Sequence, residues 1–189
     1  MLEMIQQLDG GLLMAIQALH LSWLDPLVSC YTTLGNGGVV WIVLSLIMLC
    51  WRPTRKAGVL ALLSMLLGLL CTNVVLKHLV ARPRPWLSLP IVPLVVENDP
   101  NSFPSGHTCA AFAAGMIWVR TLPWRWGRVL AVVLAVCMGL SRLYVGVHYP
   151  LDVLGGALVG SFCAWVVWRL YRRWSERDAG VDTSLRRDQ

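Results

Sequence analysis

Apolar residues dominate six stretches of the chain and leave short polar links between them. The stretches cover about residues 10–34, 38–51, 57–76, 106–123, 129–147 and 153–171. Several approach the roughly 20 residues that an α-helix needs to cross the hydrocarbon core of a bilayer. The pattern therefore predicts an all-α fold, a polytopic membrane bundle of six transmembrane helices or, in a second arrangement, five.

The first fifty residues allow both arrangements because two helix-breaking sites interrupt their apolar pattern. Asp25-Pro26 falls within the first stretch, and the Gly-Asn-Gly-Gly segment 35–38 separates it from the second. In one arrangement the two stretches are separate spans and the N-terminus is cytoplasmic. In the other, residues 1–22 lie along the membrane interface, residues 24–51 form one broken span, and the N-terminus lies outside.

The rest of the chain has a simpler organisation. A helix of about twenty apolar residues is expected to end near Lys77, and the one long polar loop, rich in proline, follows from Arg82 to Phe103. The N-terminal sequence lacks the basic region and cleavage site of a signal peptide, so we expect the first stretch to be retained. Residues 1–175 are predicted to form a single transmembrane domain, and residues 176–189 a polar cytoplasmic tail.

Composition and charge placement agree with a membrane protein. The 189 residues are 57% hydrophobic and 14% charged, whereas soluble domains carry about 25% charged residues. A net charge of +6 would suggest nucleic acid if the cations formed one patch. Twelve of the sixteen Lys and Arg residues instead follow alternate apolar stretches, which the positive-inside rule assigns to the cytoplasm. We therefore expect a multi-pass protein of the cell membrane with no nucleic-acid partner.

Three clusters of polar residues lie outside this cytoplasmic set. They are Lys77 to Pro85, then Pro104-Ser105-Gly106-His107, then Ser141-Arg142 followed by His148 and Asp152. Successive membrane helices reverse direction, and each cluster lies at the end opposite the cytoplasmic cations. All three are therefore predicted to meet at the extracytoplasmic face.

The spacing of these clusters resembles the type 2 phosphatidic acid phosphatase superfamily, whose pattern is K-x6-R-P, P-S-G-H and S-R-x5-H-x3-D. The sequence matches each part in order, over about residues 77–152. The resemblance implies a membrane phosphatase acting on undecaprenyl pyrophosphate, phosphatidylglycerol phosphate or phosphatidic acid. The small size is similar to bacterial undecaprenyl pyrophosphate phosphatases, which makes that lipid our first expectation.

The residue types suit phosphoryl transfer on chemical grounds as well. The transition state spreads negative charge over three equatorial oxygens, which calls for several fixed cations. Lys77, Arg84 and Arg142 are expected to supply them. Ser105 and Gly106 open a predicted helix, so their backbone N–H groups and the helix dipole are expected to face the same oxygens.

Two histidines are predicted to carry the covalent chemistry. His148 lies four residues before Asp152, and a carboxylate on one ring nitrogen fixes the tautomer and makes the other nitrogen more basic. His148 is therefore the expected nucleophile, forming a phosphohistidine, and His107 the general acid and base. The resemblance to the family implies the same roles for the two histidines. On this face, only Glu97 and Asp99 of the loop add carboxylates to Asp152, so we expect no metal and no cofactor.

Three other interpretations compete with this one. Arg82 is most simply a cation at a helix end that anchors lipid headgroups, so we leave it out of the site. The whole chain could be a non-catalytic lipid-binding or transport protein that retains the fold. Vanadate-dependent haloperoxidases share the phosphate-site pattern, but they resemble soluble enzymes, and the hydrophobic spans of this chain argue against that function. The oligomeric state is not predicted.

Overall fold

The computed structural model describes the backbone of residues 2–187 and the side chains of residues 4–177. This part of the chain holds seven α-helices: α1 Leu2–Gln17, α2 Asp25–Leu34, α3 Val39–Leu49, α4 Arg52–Val80, α5 Gly106–Thr121, α6 Arg125–Tyr144 and α7 Pro150–Arg187. Its β pairing consists of one isolated bridge, between Pro83 and Asn101. The all-α prediction is confirmed.

Three of the helices, α4, α6 and α7, are long and apolar enough to cross a membrane. Helices α2 and α3 pass the same test together, as one span bent by 51°. Helix α5 is shorter, with 16 residues, and is buried at the centre of the bundle. These helices identify an integral membrane protein.

The N-terminal stretch is divided into two helices. Residues 10–34 do not form one helix, because α1 ends at Gln17 and α2 begins at Asp25. Pro26 lies in the first turn of α2, where its missing N–H costs nothing. Between α2 and α3, Gly37 and Gly38 adopt φ values of 59° and 73°, which residues with a Cβ rarely adopt. These helix bounds agree with the second predicted arrangement, which has a separate first helix followed by one broken span.

The packing of α7 against α5 depends on small residues. Gly156 and Gly160 are one helical turn apart and face α5. A Cβ on Gly160 would lie 2.9 Å from the backbone nitrogen of Ala113. Without a hydrophobic driving force between helices in lipid, such close backbone approach is a main source of packing energy. It also brings the start of α7 against the start of α5, where the polar clusters meet.

Replacing Gly160 by alanine should therefore destabilise the fold. The added methyl group must push α5 and α7 apart, at a cost of about 1–3 kcal/mol. Thermal unfolding of the purified protein in detergent should show a lower midpoint. Gly11→Ala is the matched control, because a Cβ at Gly11 meets nothing within 4 Å. Equal midpoints for the two variants would contradict this account of the packing.

Candidate active site

The three polar clusters meet at one end of the bundle. Arg84 of the first donates a hydrogen bond to the carbonyl of Val147, 2.9 Å away, and its Nη1 lies 3.1 Å from Nε2 of His148 in the third. The backbone N–H of Ser105, in the second, donates to the carbonyl of Asp152 at 3.0 Å. A cavity of about 410 Å³ lies between them. The three clusters thus converge, as the sequence predicts; the side of the membrane on which they lie stays a prediction.

His148 lies in the link between α6 and α7 and is fully buried. Its Nδ1 is 3.6 Å from Oδ2 of Asp152, and the hydroxyl of Ser102 stands 3.4 Å from the same nitrogen while donating to that carboxylate. Burial lowers the pKa of His148 to about 3, against the opposing effect of Asp152 and with the help of the Arg84 charge. The imidazole is therefore neutral at pH 7, the form that a nucleophile requires.

Ser102 and Tyr149 complete the surroundings of the Asp152 carboxylate. Oδ2 accepts hydrogen bonds from the Ser102 hydroxyl and from the backbone N–H of Tyr149, the latter at 2.9 Å. Sequence reasoning missed Ser102, which lies in the loop and outside every motif. Its only signal is its place two residues before Pro104-Ser105. The carboxylate is thereby held in one orientation behind the imidazole.

The three predicted phosphate-binding cations are buried and paired with carboxylates of the long loop. Lys77 donates a hydrogen bond to Asp99. Burial by itself would raise the pKa of the Asp99 carboxyl. The hydrogen bonds from Lys77 and from the N–H of Asn101 outweigh burial and lower it. Arg142 donates to Glu97 at 2.5 Å, and Arg84 lies 3.9 Å from the same carboxylate. Glu97 and Asp99 thus belong to the site, although sequence reasoning set them aside as loop residues.

His107 faces the cavity from the first turn of α5. Its Nε2 lies 2.9 Å from Oδ1 of Asn36, in the glycine-rich break between α2 and α3. Asn36 was not predicted, and its only signal is a polar residue among glycines in an apolar sequence. The break between α2 and α3 therefore forms part of the site.

Ser105 and Gly106 serve differently from the prediction. The backbone N–H of Ser105, expected to face the phosphate, bonds to the Asp152 carbonyl instead. The Ser105 hydroxyl caps α5 by accepting from the hydroxyl and N–H of Thr108, at 2.9 and 3.4 Å. Gly106 does line the cavity, at the helix N-terminus where the dipole favours an anion. Of this pair, Gly106 therefore lines the cavity and Ser105 does not.

Arg82 is not a headgroup anchor. The chain leaves α4 at Ala81, which adopts a φ of 45°, and Arg82 turns inward. Its guanidinium donates to Asp152 and to Asp9, both at 2.7 Å. The sequence interpretation failed here because the partner Asp9 lies 73 residues away.

Known proteins are similar to this chain in sequence and in fold. A family profile described as the PAP2 superfamily matches residues 57–176. An undecaprenyl-diphosphatase of Sulfolobus acidocaldarius is 33% identical over 129 residues, 67% of this chain and 61% of the relative's length. The chain thus spans less than two thirds of that relative.

Two solved structures are similar along most of the chain. A transmembrane PAP2 type phosphatidylglycerolphosphate phosphatase from Bacillus subtilis has a TM-score of 0.73 and 31% identity, and the match covers 89% of this chain and 87% of the other. LpxE of Aquifex aeolicus has a TM-score of 0.75 and 28% identity, with 84% and 93% covered. The helical arrangement is therefore similar to that of these two proteins.

Glu97 should compete with an oxyanion for Arg142, because both would bind the same guanidinium group. Glu97→Gln removes the competing charge and should tighten the binding of inorganic phosphate by roughly fivefold, the effect of an ion pair worth about 1 kcal/mol. Isothermal titration calorimetry in detergent measures this. Glu176→Gln, which breaks an exposed pair with Arg172, is the control and should change nothing. Weaker binding by Glu97→Gln would contradict the competition.

Proposed function

Because this chain belongs to the PAP2 superfamily, we propose that it is a membrane lipid phosphatase that hydrolyses a phosphomonoester or a pyrophosphate of a lipid. The observation that carries the proposal is the buried His148 with Asp152 behind it and buried Arg84 in front of it. A non-catalytic lipid-binding protein has no need of a buried imidazole aligned in this way.

The geometry supports a two-step reaction. Nε2 of His148 attacks phosphorus, an N–P bond forms, and the bond to the lipid oxygen or to the leaving phosphate breaks. His107 gives its proton to that leaving oxygen. His107 then takes a proton from water, whose oxygen attacks phosphorus and breaks the N–P bond. Throughout, Lys77, Arg84 and Arg142 offset the charge on the equatorial oxygens.

The lining of the cavity favours a lipid over a soluble phosphate. One wall is polar, and the other is formed by apolar side chains of α3 and α4, among them Ile42, Leu66 and Leu69. Leu66 and Leu69 are also exposed on the outside of the bundle, where acyl or prenyl chains lie. Such a wall suits a chain attached to the phosphate and would serve no purpose in a haloperoxidase. We propose undecaprenyl pyrophosphate as the substrate.

The charge distribution supports an orientation for the site. Twelve of the sixteen cations lie in the regions that follow alternate apolar stretches, so we propose that the active site is extracytoplasmic and that residues 176–189 are cytoplasmic. Residues 1–175 would then form one domain with five crossings, made by the α2–α3 pair and α4 to α7. Helix α1 would lie at the outer interface.

The purified protein in detergent should release inorganic phosphate from undecaprenyl pyrophosphate with EDTA present. His148→Ala should lower the rate by roughly 10³-fold or more, because loss of a nucleophile removes the covalent route. His78→Ala, which alters an exposed histidine at the end of α4, is the matched control. A panel at equal surface concentration should compare the pyrophosphate with phosphatidylglycerol phosphate and phosphatidic acid.

Failure of the wild-type protein to hydrolyse any lipid of the panel would refute the proposed activity. Faster hydrolysis of a monophosphate lipid would refute only the choice of undecaprenyl pyrophosphate. Loss of activity in the presence of EDTA would refute the proposal that the reaction needs no metal.

The orientation has its own test. Val92 in the long loop and Trp126 at the opposite end are both exposed, at 88% and 68%. In intact cells, a membrane-impermeant thiol reagent should label Val92→Cys and leave Trp126→Cys at the level of the parent chain. The reverse pattern would invert the proposed topology.

A further inference from the structure

A buried carboxylate of the first helix reaches the site from outside the three motif clusters. Asp9 of α1 is 4% exposed. Its Oδ2 accepts from Nη2 of Arg82 at 2.7 Å, and its Oδ1 accepts from the backbone N–H of Leu151 at 3.0 Å. An acidic side chain is almost never buried without a partner, and both of its oxygens have one here.

Arg82 connects this carboxylate to the nucleophile. Its Nη1 donates to Oδ1 of Asp152 at 2.7 Å, while the guanidinium lies over the ring of Tyr149, 3.9 Å from the centroid. The other oxygen of Asp152 faces Nδ1 of His148. A continuous chain of charged contacts therefore runs from Asp9 through Arg82 and Asp152 to His148.

The charges along this chain have a consequence for the reaction. When Nε2 of His148 bonds to phosphorus, the imidazole becomes positively charged, and the Asp152 carboxylate stabilises that charge. Arg82 alone would offset the carboxylate, since buried charges a few ångströms apart are poorly screened. Asp9 supplies a second negative charge, so that two carboxylates and one guanidinium leave a net charge of −1 behind the imidazole.

We propose that Asp9 is a positioning residue of the phosphoryl-transfer site, which acts through Arg82 to leave Asp152 negatively charged and correctly oriented behind His148. The inference rests on the proposed function. It gives α1, which carries none of the motifs, a part in the reaction.

The substitution Asp9→Asn removes the charge of Asp9 and keeps its contact with the first turn of α7. Asparagine retains an oxygen that accepts from the Leu151 N–H, but it removes the negative charge that faces Arg82. We expect kcat to fall by roughly 10-fold to 100-fold, as for other groups that orient a reacting side chain. KM should change little, because Lys77, Arg84 and Arg142 are untouched. Asp9→Glu should recover part of kcat.

Asp25→Asn is the matched control. Asp25 is also a paired carboxylate near the N-terminus, 3.1 Å from His20, but it makes no contact with Arg82. The Asp25→Asn substitution should leave kcat unchanged. Thermal unfolding in detergent should show similar midpoints for both variants, which separates a loss of charge from a loss of fold.

A double-mutant cycle tests the route through Arg82. In an Arg82→Gln background, Asp9→Asn should cause no further loss of kcat, since the link to Asp152 is already broken. Additive losses would overturn the proposal, and so would wild-type kcat in Asp9→Asn or an equal loss in Asp25→Asn. These outcomes all presuppose an active wild-type protein, whereas an inactive wild type would refute the proposed function itself.

Discussion

The structure depends on the pairing of buried cations inside an apolar bundle. Arg84 and Arg142 are each 1% exposed, and an unpaired buried charge costs several kcal/mol. Four cations at the site, Lys77, Arg82, Arg84 and Arg142, meet four carboxylates, Asp9, Glu97, Asp99 and Asp152. The long loop folds back over the helix ends because two of these carboxylates lie within it. The first helix is held to the site by a third.

Backbone geometry places these charges where a phosphate can reach them. The glycine face of α7 lets α5 approach, so that the Ser105 N–H meets the Asp152 carbonyl and the two helix starts form one wall. The break between α2 and α3 brings Asn36 to His107 and opens the cavity toward apolar side chains of α3 and α4. The cavity therefore has one charged wall and one apolar wall, as the proposed lipid substrate requires.

The same charges set the conditions for chemistry. Cations gather on the Nε2 side of His148, where Arg84 lies, and carboxylates on the Nδ1 side, where Asp152 lies. In the proposed reaction, the phosphoryl group faces the cations, and the imidazole that becomes positively charged faces the carboxylate. The separation costs little reorganisation during the reaction because the packing holds both sets in place. The residues that form the structural ion pairs are thus the ones to which we assign the proposed reaction.

The sequence by itself determined the helices from residue 52 onward, the family and the three clusters, because apolar length and motif spacing are local properties of the chain. It also identified Lys77, Arg84, Arg142, His148 and Asp152, because the spacing of the motifs and the alternating direction of the helices both select those positions. Only the tertiary structure decided that Arg82 points inward to Asp9, that Glu97 and Asp99 pair with the cations, and that Ser105 bonds to Asp152. Each of these facts joins residues far apart in sequence, and no local pattern records such a contact.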